Sequence, residues 1–204
     1  MNLINFIEIE NNSNIIKNIE FESIETYNFL KNEFIKTNVK ENYLFQFVYR
    51  SFYRLDNAGL KQEFKVKYFE IFEEIRSQEN INVKTILLEL YQFPCVNPKI
   101  INSFQFSFTT KMLNMIDNNI PIYDSKVENV FNWKRFNEND FNMKFEFYSK
   151  RLNTIKETYN EIIEKKLLPK TMSEFDIKFK NHNLSDIKKL DFIIWSFGKI
   201  KNNN

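Results

Sequence analysis

Apolar positions recur every three or four residues along most of the chain, and the two-residue alternation of strands is nearly absent. From Phe21 to about Thr37 the spacing predicts a helix, with Ile24, Tyr27, Phe34 and Ile35 towards one side and Phe29 off the stripe. Tyr43 to Leu55 is a second helix, so rich in Phe and Tyr that it is expected near the centre of the fold. It runs into Arg54-Leu55-Asp56-Asn57-Ala58-Gly59-Leu60, where Gly59 marks a positive φ or a tight approach. Residues 60–77 form a third helix, with Phe64, Tyr68, Phe69, Phe72 and Ile75 on its buried side. Val83 to Phe93 makes a fourth, ended by Pro94 and Pro98.

Residues 104–117 supply a fifth helix and 124–131 a short sixth. Phe141 to Leu168 is the longest, its stripe running Phe145, Tyr148, Leu152, Ile155, Tyr159, Ile162 and Ile163, and Pro169 stops it. A closing helix runs from Ser185, as N-cap, to about Phe197, with Gly198 past its end. Residues 1–20 carry no periodic signal and are expected to be irregular or short strand, with a turn at Asn11-Asn12-Ser13-Asn14. The pattern predicts a single all-α domain, 1–204, of about eight or nine helices.

Composition narrows the function classes. A chain of 204 residues can bury a core without covalent staples, and its 23 Phe stand where Leu and Val usually do. Cys95 and His182 are the sole cysteine and histidine, which excludes an intrachain disulfide, a four-thiolate cluster and a His/Cys zinc site. No metal or organic cofactor is expected. The N-terminus lacks a basic region ahead of an apolar run, and no apolar run approaches the roughly 18 residues of a membrane helix. A reducing, cytoplasmic setting without membrane contact is the expectation. The formal charge of +2 neither demands nor forbids nucleic acid.

Candidate chemistry gathers in Phe104–Val127. Ser107, Thr109 and Thr110 form a polar turn ahead of a helix whose first turn carries Lys111. Free N–H groups at such an end, with added hydroxyls, suit a phosphate. Burial and the helix dipole there favour the neutral amine that a nucleophile needs. A loop containing Pro121 then leads to Asp124, in the N-cap position of the next helix, with Tyr123 beside it as a pocket-lining candidate. Each residue also has an ordinary reading: Lys111 as a surface charge, Asp124 as a cap, Tyr123 as core.

Thr110-Lys111 at the head of one helix, followed by Pro121-Ile122-Tyr123-Asp124 opening the next, resembles the core motif of the helix-hairpin-helix DNA glycosylases. The similarity is greatest to the 8-oxoguanine-glycosylase-like branch. That family's hairpin reads Gly-Val-Gly-Thr-Lys and grips a DNA phosphate; its Lys attacks C1′ of the damaged nucleoside and an Asp assists. By position the hairpin glycines fall on Ser107 and Thr109, the Lys on Lys111 and the Asp on Asp124. The resemblance implies a DNA glycosylase/lyase acting without cofactor on a flipped, damaged or modified base in duplex DNA. Here both hairpin glycines are replaced, and the Lys-to-Asp spacing is short for the family. The alternative is a non-catalytic all-α module that binds nucleic acid or protein, in which Lys111 and Asp124 are structural.

Elsewhere, Arg50 and Arg54 are expected in helix-end ion pairs, His182 in solvent, Trp133 and Trp195 in the core, and the Lys165-Lys166 and Lys188-Lys189 pairs on solvated faces. Trp133, beside Lys134-Arg135, could also stack on a base.

Overall fold

The computed structural model describes residues 4–97, 99–100, 102–134 and 136–201. Pro98 and Arg135 lie outside the described residues. Among the described residues there are eleven α-helices: α1 (Phe6–Glu10), α2 (Asn14–Lys17), α3 (Phe21–Lys36), α4 (Tyr43–Phe52), α5 (Gln62–Ile75), α6 (Val83–Tyr91), α7 (Phe106–Ile116), α8 (Ser125–Val130), α9 (Phe141–Glu164), α10 (Pro169–Lys178) and α11 (Asp186–Lys201). A 3-10 turn spans Leu55–Ala58. Among the described residues there is no strand, only an isolated bridge between Leu60 and Cys95. The chain is all-α, as the periodicity predicts.

Two compact units divide it: Glu25–Ile116, and Met1–Ile24 with Asp117–Asn204. The core of the Glu25–Ile116 unit is aromatic. Phe45 and Tyr49 of α4 meet Phe69 and Phe72 of α5, with ring centroids 5.5 to 6.2 Å apart, mostly tilted or edge-on as ring quadrupoles prefer. Two buried phenols tie three helices: the Tyr49 hydroxyl bonds that of Tyr68 at 2.8 Å, and Tyr68 donates to the Phe108 carbonyl at 2.7 Å. The predicted stripe of α5 is buried as drawn, with Ile71 added. On α3, Leu30 is buried and Ile35 is 65% exposed, against the expected stripe. On α4 the richness in aromatics is two-sided: Phe45 and Tyr49 are buried, while Tyr43, Leu44 and Phe47 face solvent. Gly59 does adopt positive φ (64°), and a side chain there would meet open space, so conformation and not crowding selects it.

The second unit is held by side chains that cap helices distant in sequence. Residues 1–20, expected irregular or short strand, instead hold α1 and α2. They are too short to persist alone, and tertiary bonds hold them. Glu10 accepts from the Lys170 and Thr171 amides and the Thr171 hydroxyl, supplying the missing N-cap of α10. Lys178 donates to the carbonyls of Ile16, Lys17 and Ile19 at the end of α2, and Ser196 to that of Ile15. Pro169 does not stop the long helix: α9 ends at Glu164, Lys166 turns to φ 50°, and Pro169 opens α10 at its first position. Ser185 caps α11 as expected, accepting from the Lys188 amide. Gly198, expected beyond that helix, lies within it, pressed against the backbone of Lys126.

Candidate functional site

Phe106 and Phe108 are both buried, and burying them carries the helix back over what the sequence suggests is a turn. As a result α7 starts at Phe106, with the Thr109 amide bonded to the Gln105 carbonyl. Ser107, Thr109 and Thr110 are therefore helical residues and not a hairpin. Thr109 and Thr110 are fully buried, their hydroxyls bonded back to the Gln105 and Ser107 carbonyls at 3.1 and 3.0 Å. Lys111 falls in the second turn, where the N-terminal dipole has faded. Its half-buried ammonium donates to Ser107 Oγ at 3.1 Å and lies 4.8 Å from the Phe108 ring and 5.9 Å from the Tyr53 ring. Lys111 belongs to the Glu25–Ile116 unit and Asp124 to the other.

Asp124 is the N-cap that its sequence setting predicts. Its backbone is extended, and Oδ1 accepts from the Lys126 and Val127 amides at 2.9 and 3.1 Å. Tyr123 is buried, with its hydroxyl donating to the Glu128 carboxylate and accepting from Arg151 Nη1 at 3.1 Å. Burial first, then the bond to Glu128, pushes the phenol well above its ordinary range. Tyr123 is thus a buried strut, the core role that its sequence setting also allowed.

Around that strut the structure assembles a cluster that the sequence does not announce. Arg151 of α9 pairs with Glu128 at 2.9 Å, donates to the Lys134 carbonyl at 2.6 Å, and lies over Trp133 and Phe147 at 4.8 and 4.1 Å. Trp133 stacks on Phe131 (4.4 Å), and Phe136 on Phe147 (3.9 Å). Behind the loop, Asp191 accepts from the Ile122 amide at 3.1 Å and faces the buried Lys188 at 3.4 Å. Burial raises its carboxyl to about 6, against the pull of Lys188 and the Ile122 amide. The buried Tyr159 hydroxyl has no hydrogen-bond partner among the described residues and feels the Asp191 and Asp124 charges.

Other expectations shift in the same way. Lys188 and Lys189 are buried, with Lys189 bridging Asp176 and Asp186 at 2.9 Å each. His182 is a loop staple: Nε2 donates to Asp176 at 2.8 Å and Nδ1 accepts from the Leu184 amide at 2.9 Å, which assigns the neutral tautomer. Arg50 pairs with Asp56 at 3.3 Å as expected, and Lys65 shares that carboxylate at 2.6 Å. Trp133 and Trp195 are half-buried. Among the described residues no three acidic, His or Cys side chains gather to hold a metal, and no helix is long and apolar enough to cross a membrane.

No protein-family model, no curated protein and no solved structure matches this chain.

Proposed function

We propose that the chain is a non-catalytic all-α module that works by binding protein. The observation that carries this reading is the inward commitment of the candidate catalytic groups. The Thr109 and Thr110 hydroxyls bond their own helix in full burial, Lys111 donates to Ser107, and Asp124 caps α8. Groups already bonded within the fold would have to break those bonds to serve a substrate. Protein is favoured over nucleic acid as the partner because the small formal charge gives little long-range attraction to phosphate. Three large apolar side chains of α4, meanwhile, stand in solvent.

A second reading is the DNA glycosylase/lyase. One observation favours it: Asp124 is a fixed carboxylate at the exit of the Pro121 loop, where the motif puts the assisting Asp. In that reading the neutral Lys111 amine attacks C1′ as the N-glycosidic bond breaks and the base leaves with a proton; the amine then loses a proton, the C1′–O4′ bond opens, and a Schiff base results. Asp124 stabilises charge developing on the sugar, and Ser107 is the hydroxyl left to meet a phosphate. Borohydride reduction in the presence of DNA with an abasic site or an oxidised purine separates the two. The module reading predicts no adduct that depends on Lys111, and no selective binding to those duplexes at low salt.

A further inference from the structure

His182 is the single histidine of the chain, and its two ring nitrogens are committed in different ways. Nδ1 accepts from the Leu184 amide at 2.9 Å, while Nε2 donates to Asp176 Oδ1 at 2.8 Å. A backbone N–H can only donate, so this pairing requires the neutral ring. The imidazole is largely covered and stands edge-on to Phe175 at 5.4 Å. On either side of it Asn181 and Asn183 sit at φ 64° and 53°. Such left-handed residues cost free energy, and the turn needs bonds like that to Nδ1 to hold them.

The charges around the ring pull against that neutral state. Asp176 of α10 accepts from Nε2, and Lys189 of α11 shares the same carboxylate at 2.9 Å while reaching Asp186 at 2.9 Å. The turn itself adds only the exposed Lys180. Two carboxylates and one ammonium leave the bonded cluster with one negative charge, which a proton on the ring cancels. Histidine is the side chain whose charge ordinarily changes between about pH 5 and 8. A proton arriving at Nδ1 turns the acceptor into a donor aimed at the Leu184 N–H, and the two hydrogens repel. The Nε2 bond to Asp176 meanwhile becomes charge-assisted and strengthens. The ring therefore keeps Asp176, and the turn has to give.

We propose that His182 is a proton-operated latch on the 181–184 turn. Neutral, it pins the turn through the Leu184 amide; protonated, it lets the turn go while staying bonded to Asp176. Release uncovers Leu184, which is buried in the latched form, and loosens the chain just ahead of Ser185, the cap of α11. The latch goes beyond the protein-binding reading and does not depend on it.

With one histidine in the chain, the ring signals of an isotopically labelled full-length sample belong to His182 alone. NMR can thus follow ring and turn together from about pH 8 to 5. At the alkaline end the ring should be the Nε2–H tautomer, with the Leu184 amide protected from hydrogen exchange. As the ring charges, the Leu184 protection factor should fall by roughly tenfold, the equivalent of one lost hydrogen bond, and with the midpoint of the ring. Amides in the middle of α10 should keep their protection. His182→Asn offers an amide oxygen in place of Nδ1 and does not titrate, so its Leu184 protection should stay level over the same range. A ring that charges while Leu184 protection holds would overturn the proposal. So would a ring that does not charge over this range, one that carries its proton on Nδ1 at the alkaline end, or a His182→Asn chain that loses protection in step with the wild type. The wild-type titration decides the matter by itself if the variant does not fold.

Discussion

Gly198 of α11 lies against the backbone of Lys126 in α8 so closely that a Cβ at 198 would fall 2.0 Å from the Lys126 carbonyl oxygen. The two glycines of the chain are therefore kept for different reasons, and alanine separates them. Gly198→Ala must push helix from helix, since the obstacle is backbone and cannot rotate away. A loss of about 3 kcal/mol or more is expected in urea unfolding, at the upper end of overpacking. Gly59→Ala meets no atom and costs only the left-handed conformation at φ 64°, about 1–2 kcal/mol.

Tyr159→Phe should be neutral or stabilising by about 1 kcal/mol, because it removes a buried hydroxyl that has no partner among the described residues. A clear loss of stability on calorimetry would mean that the hydroxyl is satisfied.

Asp191 sets the acid response. Its carboxyl is raised to about 6, so the folded state binds a proton more readily than the unfolded one, whose ordinary value is 3.8. Between roughly pH 4 and 6 the native state holds more protons, and stability therefore rises as pH falls. The contribution is at most about 3 kcal/mol. Asp56 and Asp176 act in the opposite sense. Burial presses both upward, but Lys65 and Arg50 at Asp56, and Lys189 and His182 at Asp176, bring them below the usual range. Their stabilisation is lost only below about pH 4. Asp191→Asn keeps an acceptor for the Ile122 amide and should flatten the rise between pH 6 and 4. Equal slopes in both proteins would contradict this assignment.

Much of the fold was legible, and the failures share a cause. The α5 stripe and the Asp124 cap are local patterns, and both formed as read. The helix expected over 104–117 forms as α7, but Ser107, Thr109 and Thr110 are not the turn ahead of it that their composition suggests; burial of Phe106 and Phe108 outweighs that preference, and the threonine hydroxyls bond back within the helix. Lys188 and Lys189 look like a solvated pair until Asp191 and Asp176 are seen to meet them. Gly198 resembles a helix stop because its reason for being glycine lies in α8, 72 residues earlier at Lys126. Glu10 is the N-cap of a helix 160 residues away. Partners remote in sequence leave no periodic signal.

Asp124→Ala should cost about 1 kcal/mol through the lost α8 cap, and Asp124→Asn much less, since the amide oxygen can still accept from Lys126 and Val127. The paired unfolding midpoints check this. Equal losses in both variants would show that the charge matters and not the cap bond.

Covalent trapping bears most directly on the central claim that Lys111 and Asp124 serve the fold. Wild-type chain, Lys111→Ala and Asp124→Asn are each incubated with duplex DNA carrying an abasic site or an oxidised purine, reduced with borohydride and resolved by denaturing electrophoresis. Exposed amines elsewhere react slowly with the open sugar aldehyde of an abasic site, so the predicted result is a faint adduct of equal strength in all three on abasic DNA and none on the oxidised purine, whose sugar offers no aldehyde. A strong wild-type adduct that vanishes in Lys111→Ala, with the helical spectrum intact, would contradict the account and establish Lys111 as a nucleophile.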